Sequence, residues 1–267
     1  MNINNLNILS LLPLIFLASC ADKGASTDAV SQSAELDWDP NEIRFAEFIG
    51  CTKGPDFSRE NLEEMSQAFS QLNLSADLVW SGGYSPVEEP TEGPDGWWEN
   101  NWTSGEAAKA AWELWSTDEE AKAWSDKFSN VLVCGDDQIY RYEGYFQAPE
   151  SSSLKNWSSF VAAEMSCQYN EGKSFTELKS DIKDFRAWLM ENSTGEEFSF
   201  GAYVPTGEDS ADFWWYNWHG DFEAMARGNA NWEENGKEMQ AKFDDTATCT
   251  DPTMYNGMEF YSAQPAS

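Results

Sequence analysis

The chain has 267 residues, of which 41% are hydrophobic and 15% aromatic, and 47 acidic side chains against 16 basic ones give it a formal net charge of −31. This charge excludes nucleic acids and anionic lipid surfaces as natural partners, because both require a positively charged footprint. The aromatic content, which includes 14 Trp, is sufficient for a hydrophobic core and argues against a disordered acidic chain.

An apolar run from Ile8 to Ala18 lies near the start of the chain. It is too short to cross a bilayer as a helix, which needs roughly 20 apolar residues, and it fits the hydrophobic region of a signal peptide. The run ends in Leu17-Ala18-Ser19-Cys20, which resembles the lipobox of bacterial lipoproteins. The resemblance implies cleavage before Cys20 and lipid attachment to that residue, and therefore an anchor on a membrane.

The lipobox resemblance also predicts a location. Ala21 follows Cys20, at the position where an Asp favours retention in the inner membrane. An outer-membrane lipoprotein that faces the periplasm is therefore expected, with exposure at the cell surface as the alternative. We expect a signal peptide over 1–19 and a lipidated, Ser- and Ala-rich tether over 20–37. The segment before the apolar run lacks Lys and Arg, so an ordinary signal peptide with a coincidental Cys remains an alternative.

The remaining chain contains an internal repeat, with a first unit over 38–150 and a second over 151–267. The cysteines give the register, because Cys51 and Cys134 are 83 residues apart and Cys167 and Cys249 are 82 apart. A shift of about 116 residues superimposes the two units. The matching segments include Tyr84-Ser85-Pro86 with Tyr203-Val204-Pro205, Trp97-Trp98-Glu99-Asn100 with Trp214-Trp215-Tyr216-Asn217, and Lys127-Phe128 with Lys242-Phe243.

The sequence of each unit predicts the same series of elements: strand, helix, strand, strand, helix and strand. Apolar residues at three- and four-residue steps indicate the first helix of each unit. Prolines end the second strand of each unit, and the Trp-Trp segments are predicted third strands. In the first unit the other predictions are strand 43–49, strand 77–84, helix 106–128 with a break near 116–117, and strand 138–146. In the second they are strand 160–165, strand 197–203, helix 222–243 and strand 254–261.

This β-α-β-β-α-β order is the ferredoxin-like motif, and the predicted fold class is α+β with two tandem repeats. Two such units in one chain resemble a fused form of the dimeric α+β barrel found in the antibiotic-biosynthesis monooxygenase-like superfamily. The resemblance covers roughly residues 42–262 and implies that the two sheets face each other and close into a pseudo-dimeric barrel. The alternative is two separate α+β domains that are joined through residues 147–156.

Four cysteines remain besides Cys20, an even number that suits disulfides in an oxidising compartment. Of the three possible pairings, the repeat selects Cys51–Cys134 and Cys167–Cys249, one in each unit. The ferredoxin-like order supports this choice, because its first and last strands are antiparallel neighbours. A thiolate metal site is the competing interpretation, but the chain lacks a close CxxC pair, and we predict no metal.

The motifs of common hydrolases, nucleotide-binding proteins and zinc proteases are absent from the sequence. His219 is the only histidine. Some families with the dimeric α+β barrel fold bind haem through a histidine, so the resemblance makes His219 the one candidate catalytic or haem-binding residue. The simpler interpretation is a structural histidine at the end of a strand, and no cofactor is predicted.

The paired tryptophans are the most distinctive local feature. Because successive strand residues point to opposite faces, one Trp of each pair is expected to pack against a helix and the other to face a cavity or a partner. Packing alone is the alternative explanation. The predicted pocket, for a small apolar or sugar ligand, comprises Tyr84, Trp97, Trp98, Asn100, Tyr203, Trp214, Trp215 and Asn217.

Three functions are consistent with the sequence. The leading hypothesis is a lipoprotein that binds a small ligand or an envelope protein partner without catalysis. The second is a monooxygenase-like or haem-dependent enzyme that uses the aromatic pocket, and the third is a structural envelope lipoprotein. The choice among them depends on the arrangement of the aromatic residues, because a fold by itself does not define a function.

Overall fold

The computed structural model describes residues 43–146, 153–192, 195 and 197–263, without the side chains of residues 136 and 137. All of them lie in one compact unit that extends from Asp37 to Ser267. The signal peptide, Cys20 and the tether lie outside the described residues. No helix in the described part of the chain is long and apolar enough to cross a membrane.

The two repeats follow the predicted order of elements. In the first repeat the elements are β1 (Ile43–Lys53), α1 (Arg59–Ser70), β2 (Leu78–Pro86), β3 (Gly96–Trp102), α2 (Gly105–Trp115), α3 (Glu119–Phe128) and β4 (Leu132–Phe146). In the second repeat they are β5 (Phe160–Tyr169), α4 (Phe175–Glu191), β6 (Phe198–Pro205), β7 (Phe213–His219), α5 (Phe222–Asn235), α6 (Lys237–Thr246), β8 (Ala247–Cys249) and β9 (Thr253–Ser262).

The strands form one sheet in the order β7-β6-β4-β1-β3-β2-β9-β5-β8, and an additional pairing of β7 with β5 closes it. Strands of different repeats pair at two places, β4 with β6 and β2 with β9. These two seams join the repeats into a single closed sheet, so the fold is the predicted α+β arrangement of two ferredoxin-like units rather than two separate domains.

Hydrophobic clusters lie on both sides of the closed sheet. Its interior is packed with side chains from both repeats, among them Phe48, Tyr84, Phe160, Tyr203 and Trp218. The helices of each repeat cover part of the outer face and form a second and a third cluster, and the second cluster includes Phe260 of β9, so the helices of the first repeat also pack against a strand of the second. Alternation along the strands produces this division, since inward and outward residues alternate in each strand.

The helices begin where the sequence offers a capping side chain. Helices α1 to α5 follow Ser58, Ser104, Asp118, Ser174 and Asp221, and each of these side chains accepts a hydrogen bond from a backbone N–H of the first turn. This satisfies N–H groups that have no partner within the helix. The predicted break near residues 116–117 is present between α2 and α3.

Three elements differ from the sequence predictions. The second helix of the second repeat is also broken, at Gly236, where a glycine interrupts an apolar pattern that otherwise continues. Strand β4 begins at Leu132 rather than at residue 138, because it also pairs with the end of β1. In the second repeat a short additional strand, β8, pairs with the end of β5 and places Cys249 opposite Cys167, as the start of β4 pairs with the end of β1 in the first repeat.

Each repeat contains one disulfide, Cys51–Cys134 and Cys167–Cys249, the pairing that the repeat predicted. In both cases the two cysteines are direct partners in an antiparallel strand pair, β1 with β4 and β5 with β8. The second cysteine of each pair therefore lies within a strand. Each disulfide connects the first strand of its repeat to the strand that follows the last helix of that repeat.

Candidate functional site

A cavity of about 550 Å³ lies inside the closed sheet at one end. All neighbouring strands are antiparallel, so β1 and β5 run in the same direction and equivalent residues of the two repeats lie at the same end. Trp97 of β3 and Trp214 of β7 therefore both face this cavity. The remaining lining residues are Phe48, Tyr140, Tyr142, Glu164, Tyr203, Glu208, Asp209, Ser210 and Tyr216.

The opposite end of the interior is filled by aromatic rings. Trp157, from the segment before β5, packs edge-on against Trp80, Phe160 and Trp218, with ring centroids 5.2 to 5.9 Å apart. Nearby, the Trp80 indole donates to the Glu259 carboxylate at 3.0 Å. The cavity thus has access from the end where Trp97 and Trp214 lie, and the far end forms its base.

A fully buried carboxylate, Glu99, lies beside the cavity and joins the two repeats. It accepts hydrogen bonds from Tyr84 at 2.6 Å, from Tyr203 at 2.5 Å and from the Asn101 amide at 2.9 Å. Burial raises the pKa of Glu99 to about 7, although the three hydrogen bonds lower it. Burial also holds the pKa of both tyrosines well above its ordinary value, so they remain hydrogen-bond donors.

A second carboxylate, Glu164, forms part of the cavity wall. It accepts a hydrogen bond from Tyr216 at 2.7 Å and another from Tyr255. Burial raises its pKa, and these hydrogen bonds oppose the increase. Glu164 occupies in β5 the position that Phe48 has in β1, so the two repeats contribute different chemistry to the same cavity.

The loop between β6 and β7 supplies a third carboxylate at the mouth. Asp209 accepts hydrogen bonds from the Tyr142 hydroxyl at 3.1 Å and from the Trp214 indole at 3.2 Å. It also accepts one from the backbone N–H of Ala211, which fixes the loop. Burial and the proximity of Asp209 raise the pKa of Tyr142 above its usual range, so its hydroxyl stays protonated.

The structure divides the predicted pocket residues between the two faces of the sheet. Trp97, Tyr203 and Trp214 line the interior cavity, and Tyr84 lies next to it. The outward residues Trp98 and Asn100 face the helices of the first repeat, and Trp215 and Asn217 face those of the second. The eight residues therefore do not form one site.

The outward tryptophans are held by repeated hydrogen bonds that match in both halves. The Trp98 indole donates to Asn100 at 3.1 Å, and the Trp215 indole donates to Asn217 at 2.9 Å. The distance of two residues along a strand places each pair on one face. This contact explains structurally why both repeats contain the sequence Trp-Trp-Xaa-Asn.

A wide cleft of about 1310 Å³ separates the outer face of the first repeat from helices α1 to α3. Its buried carboxylate, Glu47, accepts hydrogen bonds from the indoles of Trp102 at 3.1 Å and Trp112 at 2.7 Å, and pairs with Arg141 at 3.0 Å. Because these polar groups satisfy one another, they attach helix α2 to the sheet. We interpret this cleft as part of the packing between the layers.

His219 lies at the end of β7, in a cleft of about 470 Å³ beneath the helices of the second repeat. Its ring is 4% exposed, packs against Phe198 at 5.0 Å and closely approaches Gly228 of α5. Haem carries two carboxylate groups, yet among the described residues that line this cleft none is Lys or Arg. The described lining therefore offers no basic partner for the haem carboxylates, and His219 is buried between Phe198 and Gly228.

Glu99, Glu164 and Asp209 are not among the site residues predicted from the sequence. Strand alternation could have identified Glu99, since it lies two residues after Trp97 and so faces the same side. The other two carboxylates have no local pattern that distinguishes them among 47 acidic residues. In the described part of the chain, no group of three or more His, Cys, Asp or Glu is arranged to hold a metal ion.

Comparison with known proteins reveals similarity only at the level of structure. No protein-family model and no curated protein matches the sequence. A candidate monooxygenase from Lactobacillus acidophilus NCFM is similar with a TM-score of 0.54 and 9% identity, over 83% of this chain and 97% of that one. A candidate monooxygenase from Fusobacterium nucleatum subsp. nucleatum has a TM-score of 0.51 and 8% identity, over 82% and 92%.

A chlorite dismutase from Candidatus Nitrospira defluvii, solved in complex with imidazole, has a TM-score of 0.49 and 8% identity, over 82% of this chain and 91% of that one. Together with the closed sheet, the similarity to the two candidate monooxygenases shows the fold of this chain. Its fold is that of the dimeric α+β barrel proteins, with both units in one chain. At these identities the similarity establishes the fold alone.

Proposed function

We propose that this chain is an exported outer-membrane lipoprotein, anchored through Cys20, whose duplicated domain binds a small organic ligand in the cavity inside the sheet. The observation that carries the proposal is that cavity, of about 550 Å³, with aromatic walls contributed by both repeats. Its volume lies within the range of small-molecule sites, roughly 300–1,000 Å³. The lipobox sequence supports the anchor, and the periplasm is the expected location.

The organisation of the interior supports binding rather than turnover. The carboxylates of Glu99, Glu164 and Asp209 each accept hydrogen bonds from tyrosine hydroxyls. Such a network fixes the side chains before a ligand arrives, which lowers the entropy cost of binding. The paired disulfides and the closed sheet further restrict movement of the cavity walls.

The test is a native mass spectrum of the chain from residue 21 onward, produced in a bacterial periplasm. We expect a mass about 4 Da below the fully reduced value, from two disulfides, and an additional non-covalent adduct. Trp97→Leu and Trp214→Leu should lose the adduct, whereas Trp80→Leu, at the filled end, should keep it. An adduct that persists in both cavity variants, or no adduct in any sample, would overturn the assignment of the cavity.

The anchor requires a separate experiment. The full chain should incorporate a fatty-acid label in a bacterial host and sediment with the outer membrane, and Cys20→Ser should abolish both. Ala21→Asp should move the protein to the inner membrane if the sorting expectation is correct. A full chain without label would contradict the proposed lipidation.

A monooxygenase-like enzyme is the second candidate, and the fold similarity to the Lactobacillus acidophilus protein favours it. In that case the purified domain should consume oxygen with an aromatic substrate, and Trp97→Leu should reduce the rate. Oxygen consumption that requires the intact cavity would replace binding with catalysis as the function of this site.

A further inference from the structure

The carboxylates at the interior cavity can accept a hydrogen bond or attract a positive charge, and most of the tyrosine and tryptophan donors around them are already engaged. From this we infer that the ligand is a small organic cation of the substituted ammonium class, held against Trp97, Trp214 and Tyr140 and paired with Glu164. This inference rests on the proposed function and names the ligand class for the same site.

The rings provide the first argument. Trp97 and Tyr140 both line the cavity and meet edge-to-face, at an interplanar angle of 75° with centroids 5.7 Å apart. Deeper in the cavity, Phe48 and Tyr203 meet at 85° and 5.1 Å. Ring faces carry partial negative charge, so a cavity lined by several aromatic rings attracts a cation. Tyr140 is 45% exposed and lies at the mouth, where a ligand enters.

The donors provide the second argument. The hydroxyl groups of Tyr142, Tyr203 and Tyr216 donate to Asp209, Glu99 and Glu164. The indole of Trp214 also donates to Asp209. An anionic ligand needs free donors, and a sugar needs donors as well as acceptors, but these groups are already engaged within the protein. A cationic ligand needs only acceptors and ring faces.

Charge provides the third argument. Glu164, Glu208 and Asp209 line the cavity, and none of the described residues that line it is Lys, Arg or His. The hydrogen-bond donors to Glu164 and Asp209 in the cavity wall are neutral, so a bound cation is the partner that balances these charges. The formal net charge of −31 adds a field that attracts cations towards the whole molecule.

Two probes of the same shape test the inference on the chain from residue 21 onward, by isothermal titration calorimetry. Choline carries a quaternary ammonium group, and 3,3-dimethylbutan-1-ol replaces that group with a neutral carbon. We expect choline to bind at least about tenfold more tightly, the size of a desolvated cation–π contribution. Glu164→Gln should weaken choline by about tenfold and leave the alcohol unchanged.

Glu259→Gln is the matched control, because Glu259 is a half-buried carboxylate that also accepts a side-chain hydrogen bond, in its case from the Trp80 indole, but lies at the filled end of the same interior. It changes the net charge by the same amount and should leave choline binding intact. Trp97→Leu should weaken the binding of both probes. Thermal unfolding checks that each variant is folded. If Trp97→Leu does not fold, Glu164→Gln alone provides the test.

The outcomes separate the inference from the proposed function. If the alcohol binds as tightly as choline or more tightly, and Trp97→Leu weakens this binding, the inference of a cationic ligand is overturned. The cavity then remains a ligand site. If Glu164→Gln and Glu259→Gln reduce the affinity for choline equally, the affinity depends only on the overall charge of the protein, and the inference is also overturned. Absence of choline binding overturns it as well, and the periplasmic adduct then decides independently whether the cavity binds anything.

Discussion

Tyr203 of the second repeat donates a hydrogen bond to Glu99 of the first, with 2.5 Å between the hydroxyl and carboxylate oxygens. Both residues are only 1% exposed and lie in the interior of the closed sheet. Tyr84, the residue in the first repeat that corresponds to Tyr203, donates to the other oxygen of the same carboxylate. One acidic side chain therefore receives equivalent hydroxyls from both repeats and connects them.

Glu99 should make the stability of the domain depend on pH near neutrality. Burial raises its pKa to about 7, whereas the unfolded chain has the ordinary value of 4.5. The folded state then binds the proton more tightly, so the stabilising contribution is complete below pH 4.5 and is lost as the pH rises through about 7. Glu99→Gln should lack this loss.

Urea unfolding of both proteins at about pH 5 and about pH 8 measures the effect, and the wild type should lose roughly 2 kcal/mol more than Glu99→Gln over that interval. Glu64→Gln, at an exposed position, should follow the wild type. Parallel stability curves for wild type and Glu99→Gln would show that the carboxylate stays charged throughout.

Glu47 should be important for attaching helix α2 to the sheet. Its carboxylate is 1% exposed, accepts hydrogen bonds from the indoles of Trp102 and Trp112, and forms an ion pair with Arg141. Glu47→Ala leaves two indole N–H groups and a half-exposed guanidinium without their acceptor, which should cost about 3 kcal/mol of unfolding free energy. Urea titration at constant pH measures the loss.

The comparison for Glu47 is another ion pair in the same repeat. Glu64 pairs with Lys127 at 2.7 Å, but both side chains are 58% exposed. Glu64→Ala should therefore change the stability by less than about 1 kcal/mol. Similar losses for the two alanine variants would contradict the role assigned to burial.

The two disulfides should contribute equally to stability. Cys51–Cys134 and Cys167–Cys249 have sequence separations of 83 and 82 residues. In the chain-entropy model, loops of this length stabilise the folded state by about 4 kcal/mol each. Replacement of either pair by serines should lower the unfolding free energy by that amount, measured in urea. A large difference between the two double variants would indicate a contribution other than loop closure.

Binding of a cation should weaken in acid. Burial raises the pKa of Glu164, which faces Tyr216 and Tyr255, with Glu208 and Asp209 nearby in the same cavity wall. A cation favours the charged carboxylate, so affinity should be highest above this raised pKa and fall as the pH decreases through it. Calorimetry with choline across pH measures the decrease. Glu164→Gln should show a smaller decrease, and an unchanged pH profile in that variant would assign the effect to the neighbouring acids.

The sequence by itself determined the repeat, and the repeat determined much of the fold. Equivalent cysteines gave the disulfide pairing, and alternation along Trp97-Trp98 predicted that the two rings point to opposite faces. These features could be predicted because they depend on local periodicity and on the comparison of the chain with itself. The helix break at Gly236 was missed, because the apolar pattern continues across it.

Only the tertiary structure decided which of the 47 acidic residues are buried and what surrounds them. Glu99, Glu164 and Asp209 lie around one interior because β3, β5 and the β6–β7 loop all border the space that forms when strands of different repeats close the sheet. Tertiary structure likewise separated Trp97 and Trp214 from Trp98 and Trp215. The pKa and partners of a carboxylate depend on groups distant in sequence, and no local pattern encodes that arrangement.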